Sequence, residues 1–175
     1  MPRRRAVNPL SANLQSLSRG ELLKRVQSPR PTPYRLIGQR GEKVYVYCAF
    51  DALLYPFLTG QRWTLEASPP MGNPLRLELA PEGPVASRRE YGEEGGLWVS
   101  FIRPGALLPE APEMSSGRCP YLHLFASRED LLAWRATLPP EICALVQAHP
   151  LSEAFRLAQA ALEGLPEGGR AAGCC

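Results

Sequence analysis

The sequence predicts an α+β domain, an antiparallel or mixed sheet packed with helices. Three observations carry this. Residues 63–67 and 75–79 alternate apolar and polar side chains as half-buried strands do, and 97–102 and 121–126 read as two further strands. Helical patterns flank the strands, at 18–26 and 48–58 before them and at 127–137 and 151–162 after them. Strands and helices do not alternate in a βαβ rhythm, so antiparallel pairing is expected rather than a doubly wound sheet.

Each element has a local reason. Ser18 stands three residues before Glu21, the spacing of a capping box, so a short helix is expected from it. SPRPTP at 28–33 must run extended as a strap, because a residue before proline is pushed out of the helical region. Residues 43–47 lead into a helix or form a short strand. From 48 to 58 nearly every position is apolar, which predicts a buried helix, with Pro56 disturbing its last turn and Gly60 ending it. Ser127 caps the next helix, with Asp130 completing the box. Residues 151–162 form a last amphipathic helix. Residues 1–17 show little periodicity and are expected to be irregular, and the Gly-rich stretch 164–175 is expected as a flexible tail. The chain shows no internal repeat.

The bulk numbers bound the function. A chain of 175 residues with 45% hydrophobic content suits one compact domain. Its 20 basic and 17 acidic residues leave a formal charge of +3, too balanced to argue for nucleic acid as a partner. The run Arg3, Arg4, Arg5 reads as a solvated tail, as do the charges of ASRREYGEE at 86–94. No apolar run is long enough to span a membrane, and no apolar stretch follows the N-terminal arginines as a secretory signal requires, so a cytoplasmic location is expected. Five cysteines without regular spacing are then expected as free thiols. The chain contains no GxGxxG, P-loop, CxxC or HExxH pattern.

The chemistry-bearing feature is a trio. Cys48 and Asp51 lie three residues apart, and Cys119 opens CPYLHLFAS far along the chain. On a helix, positions i and i+3 share a face, so a thiol and a carboxyl group would point the same way. Like charge raises the pKa of both, which makes the pair a poor thiolate generator. It is a sensible way to hold a proton beside a sulfur that binds something soft. A lone buried cysteine is more often a small packing hydrophobe. An aspartate among Ala49, Phe50, Leu53 and Leu54 is more unusual, because an unpaired buried carboxylate is costly, and burial there would raise its pKa.

PTPYRL at 31–36, VYVYCAFDALLYP at 44–56, CPYLHLFAS at 119–127 and SEAFRLAQ at 152–159 resemble the organomercurial lyase (alkylmercury lyase) family, in the same order. The resemblance implies a short N-terminal extension over 1–30 holding at most one helix, a catalytic domain over 31–163, and the tail. It implies cleavage of a carbon–mercury bond by protonolysis, with Cys48 and Cys119 as thiolate ligands of mercury and Asp51 as proton shuttle. No organic cofactor or resident metal is implied, since mercury belongs to substrate and product. The implied partners are organomercurial small molecules, and a mercuric reductase or cellular thiols that would receive Hg(II).

A rival reading is a non-enzymatic protein that uses the same thiols to bind or ferry Hg(II) or Cu(I); Asp51 discriminates, since a pure binder needs no buried acid. A thiol oxidoreductase is disfavoured by the absence of CxxC. Cys174 and Cys175 form an adjacent terminal pair, read either as an accidental tail or as a dithiol that collects Hg(II) from the site. Cys143 is expected to be a packing residue, and His123 and His149 structural. Tyr45, Tyr47, Phe50, Tyr55, Phe57, Phe125 and Trp134 are expected mostly in the core. The chain departs from the family pattern in three places. Few residues precede PTP, where the family carries a fuller winged-helix region. SPPMGNP at 68–74 lacks a cysteine, and Pro120 stands where a second cysteine often follows the distal one.

Overall fold

The computed structural model of the chain describes residues 18–84, 96–103, 106, 108 and 118–163. The expectations for residues 1–17, for the charged stretch 86–94 and for the tail with Cys174 and Cys175 fall outside the described residues.

Helix α1 (Arg19–Val26) opens on its capping box: the Glu21 amide donates to Ser18 Oγ at 3.2 Å, and the Ser18 amide donates to Glu21 Oε2 at 2.8 Å. It leads into β1 (Gln27–Ser28), the extended strap, and the antiparallel pair β2 (Tyr34–Gly38) and β3 (Lys43–Val46). Residues 43–46 thus settle as strand. After helix α2 (Ala49–Thr59) come β4 (Trp63–Ala67), β5 (Leu75–Ala80) and β6 (Gly83–Pro84). These six strands pair antiparallel throughout, in the order β1-β3-β2-β4-β5-β6.

Register makes one face of this sheet apolar. Leu36 pairs with Leu65, and Leu65 with Leu77, so three buried leucines form one row. Trp63 and Leu79 form another. A one-residue slip would turn both rows to solvent. Helix α2 covers the apolar face and packs against α1 as well. It keeps its helical path through Pro56 and stops at Gly60, which adopts φ 66° and donates its N–H to the Pro56 carbonyl at 2.8 Å.

A second sheet of three antiparallel strands follows, β8 (Leu124–Phe125), β7 (Trp98–Ile102) and β9 (Val146–Pro150), with β7 in the middle. The strand expected over 121–126 is shorter than read from sequence. Residues Cys119–Tyr121 wind into a 3₁₀ turn instead, because Pro120 sits at its start with φ fixed near the helical value. Helix α3 (Arg128–Arg135) begins at Ser127, whose Oγ accepts the Asp130 amide at 3.1 Å. Short α4 (Pro140–Cys143) precedes β9, and α5 (Leu151–Leu162) closes the domain against α2, with the rings of Phe57 and Phe155 at 4.7 Å.

Strand β7 is buried on both faces. Val99 and Phe101 join the main core with Leu122 and Leu124, while Ile102 packs into a second cluster with Phe125, Leu131, Trp134 and Ile142. The 3₁₀ turn bearing Cys119 lies where this strand meets the start of α2. The architecture is the α+β, antiparallel arrangement that the sequence predicts. Tyr55, Phe125 and Trp134 are core residues, whereas Tyr45, Tyr47, Phe50 and Phe57 are only partly buried. Among the described residues no helix is long and apolar enough to cross a membrane.

Candidate functional site

The site is built by two chain segments pinned to each other. Cys48 is not inside the helix, as the sequence reading had it. It is the N-cap of α2, with extended backbone at φ −151° and ψ 175°. Only Tyr47 and Cys48, both bends, separate the β3 strand from the helix, so these two residues turn the chain. Asp51 is then the third helical residue, the position whose carboxyl reaches back to the cap in a capping box. It accepts hydrogen bonds from the Cys48 thiol and from the backbone N–H groups of Tyr47 and Cys48. Thiol and carboxyl converge, as expected, but through cap geometry rather than through neighbouring turns of one helix. The positive end of the α2 dipole also favours negative charge at this junction.

Cys119 arrives from the 3₁₀ turn. The Ala49 amide donates to the Leu122 carbonyl at 3.1 Å, which ties the start of α2 to the chain just after Cys119. Within the turn the Leu122 amide donates to the Cys119 carbonyl at 3.2 Å. As a result one sulfur of Cys48, one sulfur of Cys119 and one carboxylate oxygen of Asp51 all lie within 4.8 Å of one another. A metal bonded to two thiolates at roughly 2.3 Å each, the zinc–sulfur value, spans at most about 4.6 Å between sulfurs, and a larger soft ion slightly more. The spacing therefore suits one shared soft metal.

The trio is dry: Cys48 is 1%, Asp51 1% and Cys119 2% exposed. Burial raises the Asp51 pKa well above the usual carboxyl value; charge on Cys119 pushes it the same way, and the three hydrogen bonds to the carboxyl oppose both without cancelling them. Burial thus favours the protonated form of a carboxyl beside two sulfurs. The larger of the described cavities, about 380 Å³, lies by Arg35, Glu66 and Arg76 on the other side of the sheet, and the trio lines neither it nor its smaller neighbour.

Other sequence candidates fall elsewhere. Cys143 is partly exposed on α4 and stands outside the cluster. His149 lies 3.4 Å from Glu153 and edge-on to Phe101. His123 is close by: its ring contacts Tyr34 and the Pro120 carbonyl, directly beside Cys119. Tyr34 falls inside the PTPYRL motif without being singled out there, and the fully buried Ser100 carried no signal in spacing or motif.

The family model for alkylmercury lyase matches residues 28–163. The chain belongs to the alkylmercury lyase family. It is 29% identical over 129 residues to an alkylmercury lyase of Pseudomonas putida, a match covering 73% of this chain and 54% of that protein. It is 28% identical over 148 residues to an alkylmercury lyase of Staphylococcus epidermidis, covering 83% of this chain and 61% of that one. The chain thus spans little more than half the length of the curated alkylmercury lyases it matches. In fold it is similar to the mercury-bound form of MerB2, with a TM-score of 0.55 at 17% identity over 78% of this chain and 61% of that one.

The raised Asp51 pKa has a consequence for stability. In the unfolded chain Asp51 titrates near 3.8, and in the fold well above it. Between those values the folded state holds a proton that the unfolded state has lost, so stability falls as pH rises across the window. It is fully present below about 3.8 and lost as pH passes the folded value, at up to about 1.4 kcal/mol per pH unit. Asp51→Asn lacks this term. Thermal unfolding from pH 4 upward should therefore show the wild type losing ground steadily to Asp51→Asn, then levelling off. A difference independent of pH would mean that the carboxyl titrates normally.

Proposed function

We propose that the chain cleaves the carbon–mercury bond of an alkyl- or arylmercury by protonolysis, giving a hydrocarbon and Hg(II). The observation that carries this is the closeness of two thiols and a proton-holding carboxyl in a dry core. Capture comes first: a thiolate of Cys48 or Cys119 bonds to the mercury of R–Hg⁺, and the second thiolate then adds electron density to the metal and makes the carbon more basic. The Asp51 carboxyl delivers its proton to that carbon. The electron pair of the C–Hg bond becomes the C–H bond, R–H leaves, Asp51 is left as carboxylate, and Hg(II) remains on the two sulfurs. An acid of raised pKa suits this work, since it starts as the proton donor and its carboxylate can accept a proton from the next incoming thiol.

The direct test is hydrocarbon release from phenylmercury with excess small thiol. Repeated turnover supports the lyase. Stoichiometric binding, with phenylmercury recovered intact by competing thiol, would make this a soft-metal carrier instead. Retention of free thiols calls for a reducing setting, and a cytoplasmic one is proposed on that ground.

Hg(II) on two buried thiolates leaves by attack of another thiol, through a mixed intermediate. Cellular thiols or a mercuric reductase are the proposed recipients. Cys174 and Cys175, which lie outside the described residues, are proposed as a tethered relay to them. Removing those two residues is expected to leave the first turnover intact and to slow later turnovers when external thiol is scarce, with abundant small thiol restoring the rate. Unchanged multiple turnover at low thiol would make the pair inert.

A further inference from the structure

The elements around the trio hold a second polar group that the proposed chemistry does not use. Tyr34 on β2, Ser100 on β7 and His123 beyond the 3₁₀ turn lie within an otherwise apolar core, with Tyr34 and Ser100 almost wholly buried. Their side-chain hydrogen bonds converge on one short segment, residues 120–124. The Pro120 carbonyl lies 2.7 Å from His123 Nε2 and can only accept, so Nε2 carries the ring proton and donates. A neutral ring then presents Nδ1 as acceptor, and Tyr34 O–H donates to it at 2.9 Å. The Tyr34 oxygen in turn accepts the Leu124 amide at 3.3 Å. From the other side Ser100 Oγ donates to the Tyr121 carbonyl at 2.7 Å and accepts the His123 amide at 2.9 Å.

We infer that Tyr34 and His123, backed by Ser100, are positioning residues that fix the Cys119 turn against the start of α2 and so set the separation of the two sulfurs. The inference deepens the proposed reading of the trio and rests on it. The turn itself is short: three residues, one proline, and two backbone bonds of its own, Tyr121 N–H to the Arg118 carbonyl at 2.9 Å and Leu122 N–H to the Cys119 carbonyl at 3.2 Å. A 3₁₀ turn of that length holds its shape poorly alone. Beside the network, the Ala49 N–H to Leu122 carbonyl bond also ties this segment to the Cys48 side. Apolar residues of similar volume would fill the same core at less desolvation cost, so the fold alone does not call for this network. Burial also lowers the His123 pKa, which keeps the ring in the neutral form that the two bonds need. Tyr34 is raised by its own burial, which keeps its hydroxyl proton in place.

The test uses Hg(II) alone as probe, competed off the protein by a small dithiol, in the wild type and in a Cys119→Ser background. His123→Leu removes both bonds of the ring. It is expected to weaken Hg(II) retention about tenfold in the wild type and to change it less than about twofold once Cys119 is gone, the coupling expected of groups acting through one another. His123→Gln, which keeps a donor for the Pro120 carbonyl, should recover most of the loss. Should His123→Leu fail to fold, Tyr34→Phe, which deletes one hydroxyl, carries the same cycle with a loss of about threefold. Equal losses in both backgrounds, or none in either, would overturn the inference and leave His123 a packing residue. Because no carbon–mercury bond is broken here, a wild type that holds Hg(II) but never releases hydrocarbon would sink the lyase reading and leave this result standing.

Discussion

Asp51→Asn is expected to lower hydrocarbon release in a single turnover by about 10² or more, the usual scale of general acid–base catalysis. The substitution keeps size and keeps an acceptor oxygen for the Cys48 and Tyr47 amides that now bond the carboxyl. It removes the ionisable proton that burial favours on the carboxyl beside the sulfurs. Hg(II) capture should survive, because both thiols remain. The split between capture and cleavage is the informative part. A variant that cleaves at the normal rate would mean that water supplies the proton, and burial of the trio at 1–2% exposure would then have to be relieved during turnover.

Replacing either cysteine by serine should be more damaging, by about 10³-fold or more on cleavage, the scale on which removing one member of a catalytic unit acts. A serine hydroxyl is a hard, neutral ligand and does not replace a soft thiolate on mercury. The two losses should not add. If capture and activation need both sulfurs on one metal, Cys48→Ser with Cys119→Ser should be little worse than either alone. Cleavage within tenfold of wild type in Cys119→Ser would show that one thiolate suffices and that Cys119 only packs.

Much of this arrangement was legible in the residues. Alternation found β4 and most of β5, the strand read at 97–102 covers β7, and the amphipathic pattern found α5 at Leu151–Leu162. β4 and β5 have one buried and one more open face, and α5 is long, so their periodicity shows. β2 and β9 did not show. β2 is five residues boxed between prolines and a glycine, and β9 (VQAHP) ends on a proline at a sheet edge, where pairing partners rather than side-chain pattern decide the backbone. The turn at Cys119 was read as the approach to a strand because its aromatic and β-friendly neighbours outweighed Pro120.

The site was legible in composition and partly wrong in mechanism of assembly. An aspartate in the apolar run 48–58 and a cysteine three residues before it marked the pair. That Cys48 caps the helix rather than joining it depends on the two-residue bend, Tyr47 and Cys48, between β3 and α2, which no single residue announces. That Cys119 meets them depends on long-range contacts, among them the Ala49 to Leu122 bond and the bonds of Tyr34, Ser100 and His123. Such contacts are properties of the folded chain and leave no spacing to read.

The central claim is that these three residues exchange a carbon–mercury bond for a carbon–hydrogen bond using a proton held by the protein. Its most direct measurement is a single turnover of phenylmercury in D₂O, with one equivalent of protein and mass analysis of the products. The account predicts monodeuterated benzene in near-stoichiometric yield, with Hg(II) retained until thiol is added. Phenylmercury recovered unchanged from the two cysteines would contradict it.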